Sequence, residues 1–243
     1  MNANYLRIEI LRIFRNRRAL VFSILMPALL LGIFGSLYKN ESLNGAAASA
    51  YLMVSMGLFG SMTAAIGSGG TIAVERGIGW NRQLRLTPLR PATYALTKVV
   101  VALILALPPL LVTYVIGIFG LGVRLPMHTW LLVAVISWLG ALPFAALGLL
   151  IGYLAKPDSV QPISGLLYMV LAAFGGIWVP AESMPDTMRN IAEWTPAYWV
   201  GQAARSPLFH QSVQARAVEM VLVWTVVLAA VALARFRRDT ARA

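Results

Sequence analysis

The sequence predicts an all-α integral membrane protein with six transmembrane helices, and composition, apolar run length and the placement of charge carry that prediction. Hydrophobic residues make up 59% of the 243-residue chain and charged residues 12%, with a mean hydropathy of +0.74. A soluble domain of this size buries only part of the surface its chain exposes, so so apolar a chain needs a bilayer as its solvent. Crossing roughly 30 Å of hydrocarbon takes about 17 to 25 apolar residues. Six stretches meet or approach that length: Leu20 to Tyr38, Ala47 to Ala73, Tyr94 to Leu121, Trp130 to Ala155, Ile163 to Val179 and Ala217 to Ala234. The entire net charge of +11 falls on the side that holds the N-terminus under this arrangement, and the other side sums to zero. The positive-inside rule then places both termini in the cytoplasm and makes a nucleic-acid partner unnecessary.

Residues 1–18 precede the first span. Leu6, Ile10, Leu11, Ile13 and Phe14 project to one side of a helix, with Glu9, Arg12, Arg15 and Asn16 on the other. That pattern predicts an interfacial helix with arginines at headgroup level, beside the simpler reading of a basic anchor for the first span. The Leu20 to Tyr38 run exceeds the 7 to 15 residues of a signal-peptide core, so it is read as a retained span. The second, third and fourth stretches are long enough to tilt or bend. The fifth is short and meets Pro180 at once. No linker or low-complexity tract divides the chain, which predicts one membrane domain over residues 1–243.

Catalytic constellations are missing. The chain has no cysteine, and its two histidines, His128 and His210, fall in loops, so no H-E-x-x-H pair and no metal site is proposed. Gly67, Ser68, Gly69 and Gly70 resemble the setting of an intramembrane serine nucleophile, but no span supplies its histidine base. A flexible or closely packed helix segment is the better reading. Gly70 is followed by Thr71 and Ile72 rather than the lysine of a phosphate-binding loop. The central parts of the spans carry no ionisable residue, which disfavours a proton-coupled transporter.

The most distinctive polar stretch is Glu75 to Pro91, ERGIGWNRQLRLTPLRP, within a loop at 74–92. Trp80, Leu84 and Pro88 fall at helical spacing with Arg82 and Arg85 beside them, and Thr87-Pro88 marks a break. An aromatic, spaced leucines and interleaved arginines suit docking to a protein better than simple orientation at the membrane.

The order Glu75, Arg76, Gly79, Leu84, Thr87 and Pro88 resembles the cytoplasmic coupling segment of type-2 ABC exporter permeases, the family of bacterial drug, antibiotic and polysaccharide exporters. A second region, Gly175, Gly176, Pro180, Pro185, Ile191, Pro196 and Arg205, is similar to the family's region after the fifth span and leads into an extracellular segment at 180–216. The likeness covers essentially the whole chain. Many members carry a second acidic residue where this chain has Gly77, and Thr-Leu-Glu where it has Trp80, Asn81 and Arg82, so this docking surface is more basic.

The resemblance implies a permease subunit in the bacterial plasma membrane that moves a hydrophobic or amphipathic substrate outward, without an ATPase site of its own. ATP and magnesium would be held by a separate cytoplasmic ATPase docked on Glu75, Arg76, Gly79, Trp80, Arg82, Leu84, Arg85, Thr87 and Pro88. It also implies a pair of permeases, identical or related, and short helices dipping into the outer leaflet between Pro180 and Arg205. Within that segment Met184, Met188 and Ile191 repeat at i, i+4 and i+7, predicting a short amphipathic helix. Met53, Met56, Phe59 and Met62 in the second span suit the path of a lipid-like cargo, and lipid-facing packing explains them equally well. A lipid-modifying membrane enzyme and a noncatalytic sensor subunit are the rival classes.

Overall fold

The computed structural model of the protein describes residues 3–15, 17–38, 41–43, 46–79 and 91–241. It is an all-α membrane protein whose apolar helices overlap the six stretches read from the sequence. A short helix α1 (Ala3–Arg15) leads into α2 (Arg17–Leu37). The second span is α3 (Ala48–Gly67) continued by α4 (Gly69–Gly77), and the third is α5 (Pro91–Val115) extended by a π-turn at Ile116–Gly120. The fourth comprises α6 (Met127–Leu139) and α7 (Leu142–Leu154), the fifth is α8 (Val160–Phe174), and α11 (Ala215–Ala241) is the last. Between α8 and α11 lie α9 (Asp186–Ala192) and α10 (Pro196–Arg205). A two-residue antiparallel pair, Ser42–Leu43 with Ala46–Ala47, is the only β-structure among the described residues.

By length and hydropathy Ala48–Gly77, Thr93–Gly120, Met127–Leu154 and Ala215–Phe236 suffice to cross a membrane, whereas Val21–Leu37 and Val160–Phe174 are shorter apolar helices. At 1.5 Å per residue the 15 residues of α8 reach only about 22 Å, less than the hydrocarbon thickness of about 30 Å. The chain then turns at Gly175 and Gly176, the latter at φ +71°, and α10 packs back among α3, α6, α8 and α11 with Trp199, Val200, Ala203 and Ala204 buried.

The second span is the central helix. Its apolar window is 89% buried, against 17% for that of α11. Composition explains the difference, because small residues let neighbouring backbones approach. A methyl group on Gly60 would lie 2.6 Å from Pro109 Cβ of α5 and 3.0 Å from Pro27 Cγ of α2. Farther along, Gly148 of α7 faces the carbonyls of Ala65 and Ile66, where an added Cβ would lie 2.7 and 2.8 Å away. Within the Gly67–Gly70 run, Gly69 packs against the Gly148 backbone and Gly70 against Gln161, so this junction of α3 and α4 is also a close crossing. Ser68 occupies that junction with its hydroxyl donating to Ala65 O at 2.7 Å.

Two local expectations need correction. The Met184, Met188 and Ile191 stripe does not form one helix. Pro185 disfavours the helical region for the residue before it, so Met184 is extended (φ −82°, ψ 144°) and buried, and α9 begins only at Asp186, with Ile191 exposed. On α1, Glu9 does not join the polar outer face. It is buried on the side where Leu6 and Ile10 pack against Ala64, Val101 and Leu105, while Ile8 and Leu11 are exposed.

Candidate functional site

Glu75 lies in the last turns of α4, immediately before the Trp80–Arg90 segment, and is fully buried. A carboxylate in such surroundings is costly unless every oxygen is satisfied. Glu75 Oε1 accepts from Lys98 Nζ at 2.7 Å and from Arg12 Nη1 at 2.6 Å, and its Oε2 accepts from Tyr94 Oη at 2.6 Å. Lys98 Nζ also donates to Glu9 Oε2 at 2.8 Å and lies 5.2 Å from the centre of the Tyr94 ring. Two carboxylates and two cations thus form one neutral cluster.

Helix geometry assembles it. Glu9 and Arg12 are three residues apart on α1, Tyr94 and Lys98 four apart on α5, and such spacings place side chains on one face. The cluster ties α1 to the end of α4 and the start of α5, the two elements that flank residues 80–90. The Tyr94 ring stacks on Phe236 of α11 at 5.9 Å, and Phe236 meets Tyr153 of α7 at 5.3 Å, so four spans converge on this end.

Arg76, next along α4, reaches sideways. Its Nη1 donates to Gly152 O at 3.0 Å and Ala155 O at 3.4 Å, which satisfies carbonyls that the C-terminus of α7 leaves open and sets a cation at the negative end of that helix. Gly79 follows at φ +74°, a conformation that glycine adopts without strain. Trp80, Arg82, Leu84, Arg85, Thr87 and Pro88 lie outside the described residues. Glu9, Arg12, Tyr94 and Lys98 were not singled out from the sequence. Lys98 is the available signal, since an ionisable residue about one turn into an apolar run calls for a buried acid.

A second polar centre sits at the opposite end of the second span. Arg205 is 3% exposed, and its Nη1 donates to Gly176 O at 3.1 Å and Ser55 Oγ at 3.3 Å, while the guanidinium lies 4.8 Å from the centre of the Tyr51 ring. Tyr51 Oη donates to the same Gly176 carbonyl at 3.3 Å. Gly175 packs against Ala197, one residue into α10, and Pro196 is buried there. The structure therefore brings Gly175, Gly176, Pro196 and Arg205 together, but Pro185 and Ile191 are exposed on the flank and Pro180 is half-buried. Met53, Met56, Phe59 and Met62 are all buried in the main apolar core, with Phe59 against Tyr168 and Trp178.

Comparison with known proteins agrees with this architecture. The family model described as "ABC-2 type transporter" matches residues 5–209. The chain is also similar to the "Putative transport permease YvfS" of Bacillus subtilis (strain 168), 33% identical over 197 residues that cover 81% of this chain and 80% of that protein. The matched region includes most of α1, the ionic cluster, residues 80–90 and the Arg205 centre, and the chain belongs to the ABC-2 type transporter family as a membrane permease.

Proposed function

We propose that the chain is the permease subunit of an ATP-driven exporter that moves a hydrophobic or amphipathic substrate outward across the bacterial plasma membrane. Membership of the family implies an ATPase partner. In our reading that partner is a separate cytoplasmic subunit that holds ATP and magnesium and docks beneath Glu75 to Pro91, and two permeases, identical or related, pair to form the path. The observation that carries the reading is the buried cluster of Glu9, Arg12, Glu75, Tyr94 and Lys98. It makes α1, α4 and α5 one body at the root of the docking loop, so a push on the loop moves the spans rather than bending a flexible connection. Transport powered in this way needs no ionisable residue at the middle of the spans.

The test is to co-purify the permease with its ATPase and replace Arg82 and Leu84 by acidic residues. Association and ATP-driven transport are expected to fall together. Undiminished association and transport would overturn the reading, and would favour a lipid-modifying enzyme if activity persisted without any ATPase.

A further inference from the structure

We infer that the Arg205 centre is a binding site for the anionic headgroup, phosphate or carboxylate, of an amphiphile. The inference deepens the proposed export of an amphipathic substrate by giving that substrate the sign of its charge, and it rests on that reading for the ligand's passage but not for its binding. A surplus of hydrogen-bond donors around a buried cation carries it. Arg205 is 3% exposed, yet every ion pair among the described residues lies elsewhere, at Glu9, Glu75 and Asp186. Lys98 is answered by two carboxylates, and Arg205 by none. A guanidinium offers five N–H donors and no acceptor. Nη1 uses its two on Gly176 O at 3.1 Å and Ser55 Oγ at 3.3 Å, whereas among the described residues Nε and Nη2 meet no acceptor. Ser55, fully buried, accepts from Arg205, and its own hydroxyl hydrogen meets no acceptor among the described residues either. Tyr51 Oη already donates to Gly176 O. Three N–H groups and one O–H are therefore left over in a place that also carries a positive charge.

Unmet donors and an unanswered charge both cost free energy away from water, and an anion answers them together. A phosphate or carboxylate accepts from Nε and Nη2 side by side, the two-point geometry that guanidinium favours. The backbone leaves room at those donors. Nη2 lies beside two glycines: a Cβ on Gly201 would be 2.7 Å from it and one on Gly176 3.5 Å. The surroundings say that the anion belongs to an amphiphile. Phe59 follows Ser55 by one turn on α3, and its ring meets Trp178 at 5.5 Å and Tyr168 at 6.1 Å. Trp178 and Val179, just after the Gly176 turn, are exposed. Aromatic and apolar surface thus adjoins the free donors, which suits a chain attached to the bound headgroup.

The test compares 1-oleoyl lysophosphatidic acid with monoolein, which differ by the phosphate alone, on the purified full chain in dodecyl maltoside. Lysophosphatidic acid is expected to bind and raise the unfolding temperature, and monoolein to do neither. Arg205→Gln is expected to weaken that binding about tenfold or more and Ser55→Ala about three- to tenfold, as loss of charge-assisted hydrogen bonds does. Arg216→Gln removes an equal charge from an exposed position beside Trp199 and is expected to leave binding unchanged. Should Arg205→Gln fail to fold, Ser55→Ala and Arg205→Lys, which keeps the charge without the fork, decide the matter. Wild-type affinity in folded Ser55→Ala and Arg205→Lys, an equal loss in Arg216→Gln, or equal stabilisation by monoolein overturns the inference. Displacement of the probe by phosphatidylglycerol supports the site with a bilayer lipid as its source, and a probe that phosphatidylglycerol cannot displace supports it with a single-chain ligand. The assay contains no ATPase, so Arg205-dependent binding without ATP-driven transport overturns the exporter reading alone. Transport without Arg205-dependent binding overturns this inference alone.

Discussion

Lys98 bears more of the ionic cluster than Arg12, because burial sets what a charge pair is worth. The side chains of Lys98, Glu75 and Glu9 are 4%, 0% and 4% exposed, whereas that of Arg12 is 43% exposed. Replacing Lys98 by methionine takes from the buried Glu9 its cation at 2.8 Å and leaves Glu75 with Arg12 and Tyr94 alone, and a break of this kind costs about 3–5 kcal/mol. Arg12→Gln removes a partner that water can partly replace, at about 1 kcal/mol or less. Thermal unfolding in nanodiscs, followed by tryptophan fluorescence, is expected to show a large drop for the first and a small one for the second. Equal drops would show that burial does not govern the cluster. The sequence made only part of this visible. Glu75 and Arg76 stood out through their place in a family-like motif, but Glu9 read as an outward residue because amphipathic periodicity assigns every charge to the polar face. Its true partner, Lys98, lies 89 residues away, and no local pattern reports such a pairing.

At the scale of elements, the glycines of the second span and of α7 divide into those that carry a crossing and those that do not. Gly148 meets the Ala65 and Ile66 carbonyls across the α3–α7 crossing, whereas a methyl on Gly67 would meet nothing within 4 Å. Gly148→Leu must therefore separate two backbones, and overpacking of this kind costs about 1–3 kcal/mol. Gly67→Ala meets no obstacle and gains helix propensity, for a stabilisation of about 0.5–1 kcal/mol. Opposite shifts in unfolding temperature are the expected result. A loss at Gly67 equal to that at Gly148 would mean that the junction needs flexibility rather than contact. The spans themselves were legible from run length, since hydrocarbon thickness imposes it on any sequence. Their ends were less so. The second span continues to Gly77 because Glu75 and Arg76 find partners inside the bundle, although both residues look like a loop by hydropathy. Likewise α9 starts late because a single proline outweighs the i, i+4, i+7 pattern around it.

For the whole molecule, the second span is the element that connects the two polar centres. Tyr51 and Ser55 grip Gly176 and Arg205 near its start, and Glu75 and Arg76 grip α1, α5 and α7 near its end. Twenty helical residues separate Ser55 from Glu75, about 30 Å, which matches the hydrocarbon thickness. The buried second span, α3 continued by α4, thus joins the two polar centres, and under the proposed coupling a displacement at Glu75 to Pro91 has a stiff path to the turn after α8. The proposed coupling requires the two centres to face opposite compartments, with the ionic cluster on the cytoplasmic side, the orientation expected from the charge asymmetry of the sequence. Asp158, at the cluster end, and Gln211, beyond α10, are both exposed and suit single-cysteine labelling in this cysteine-free chain. With a membrane-impermeant maleimide, Gln211→Cys is expected to react in intact cells and Asp158→Cys only in inverted membrane vesicles. Labelling of Asp158→Cys from outside the cell would reverse the orientation, place the docking loop out of reach of any cytoplasmic ATPase and remove the basis for coupling through the second span.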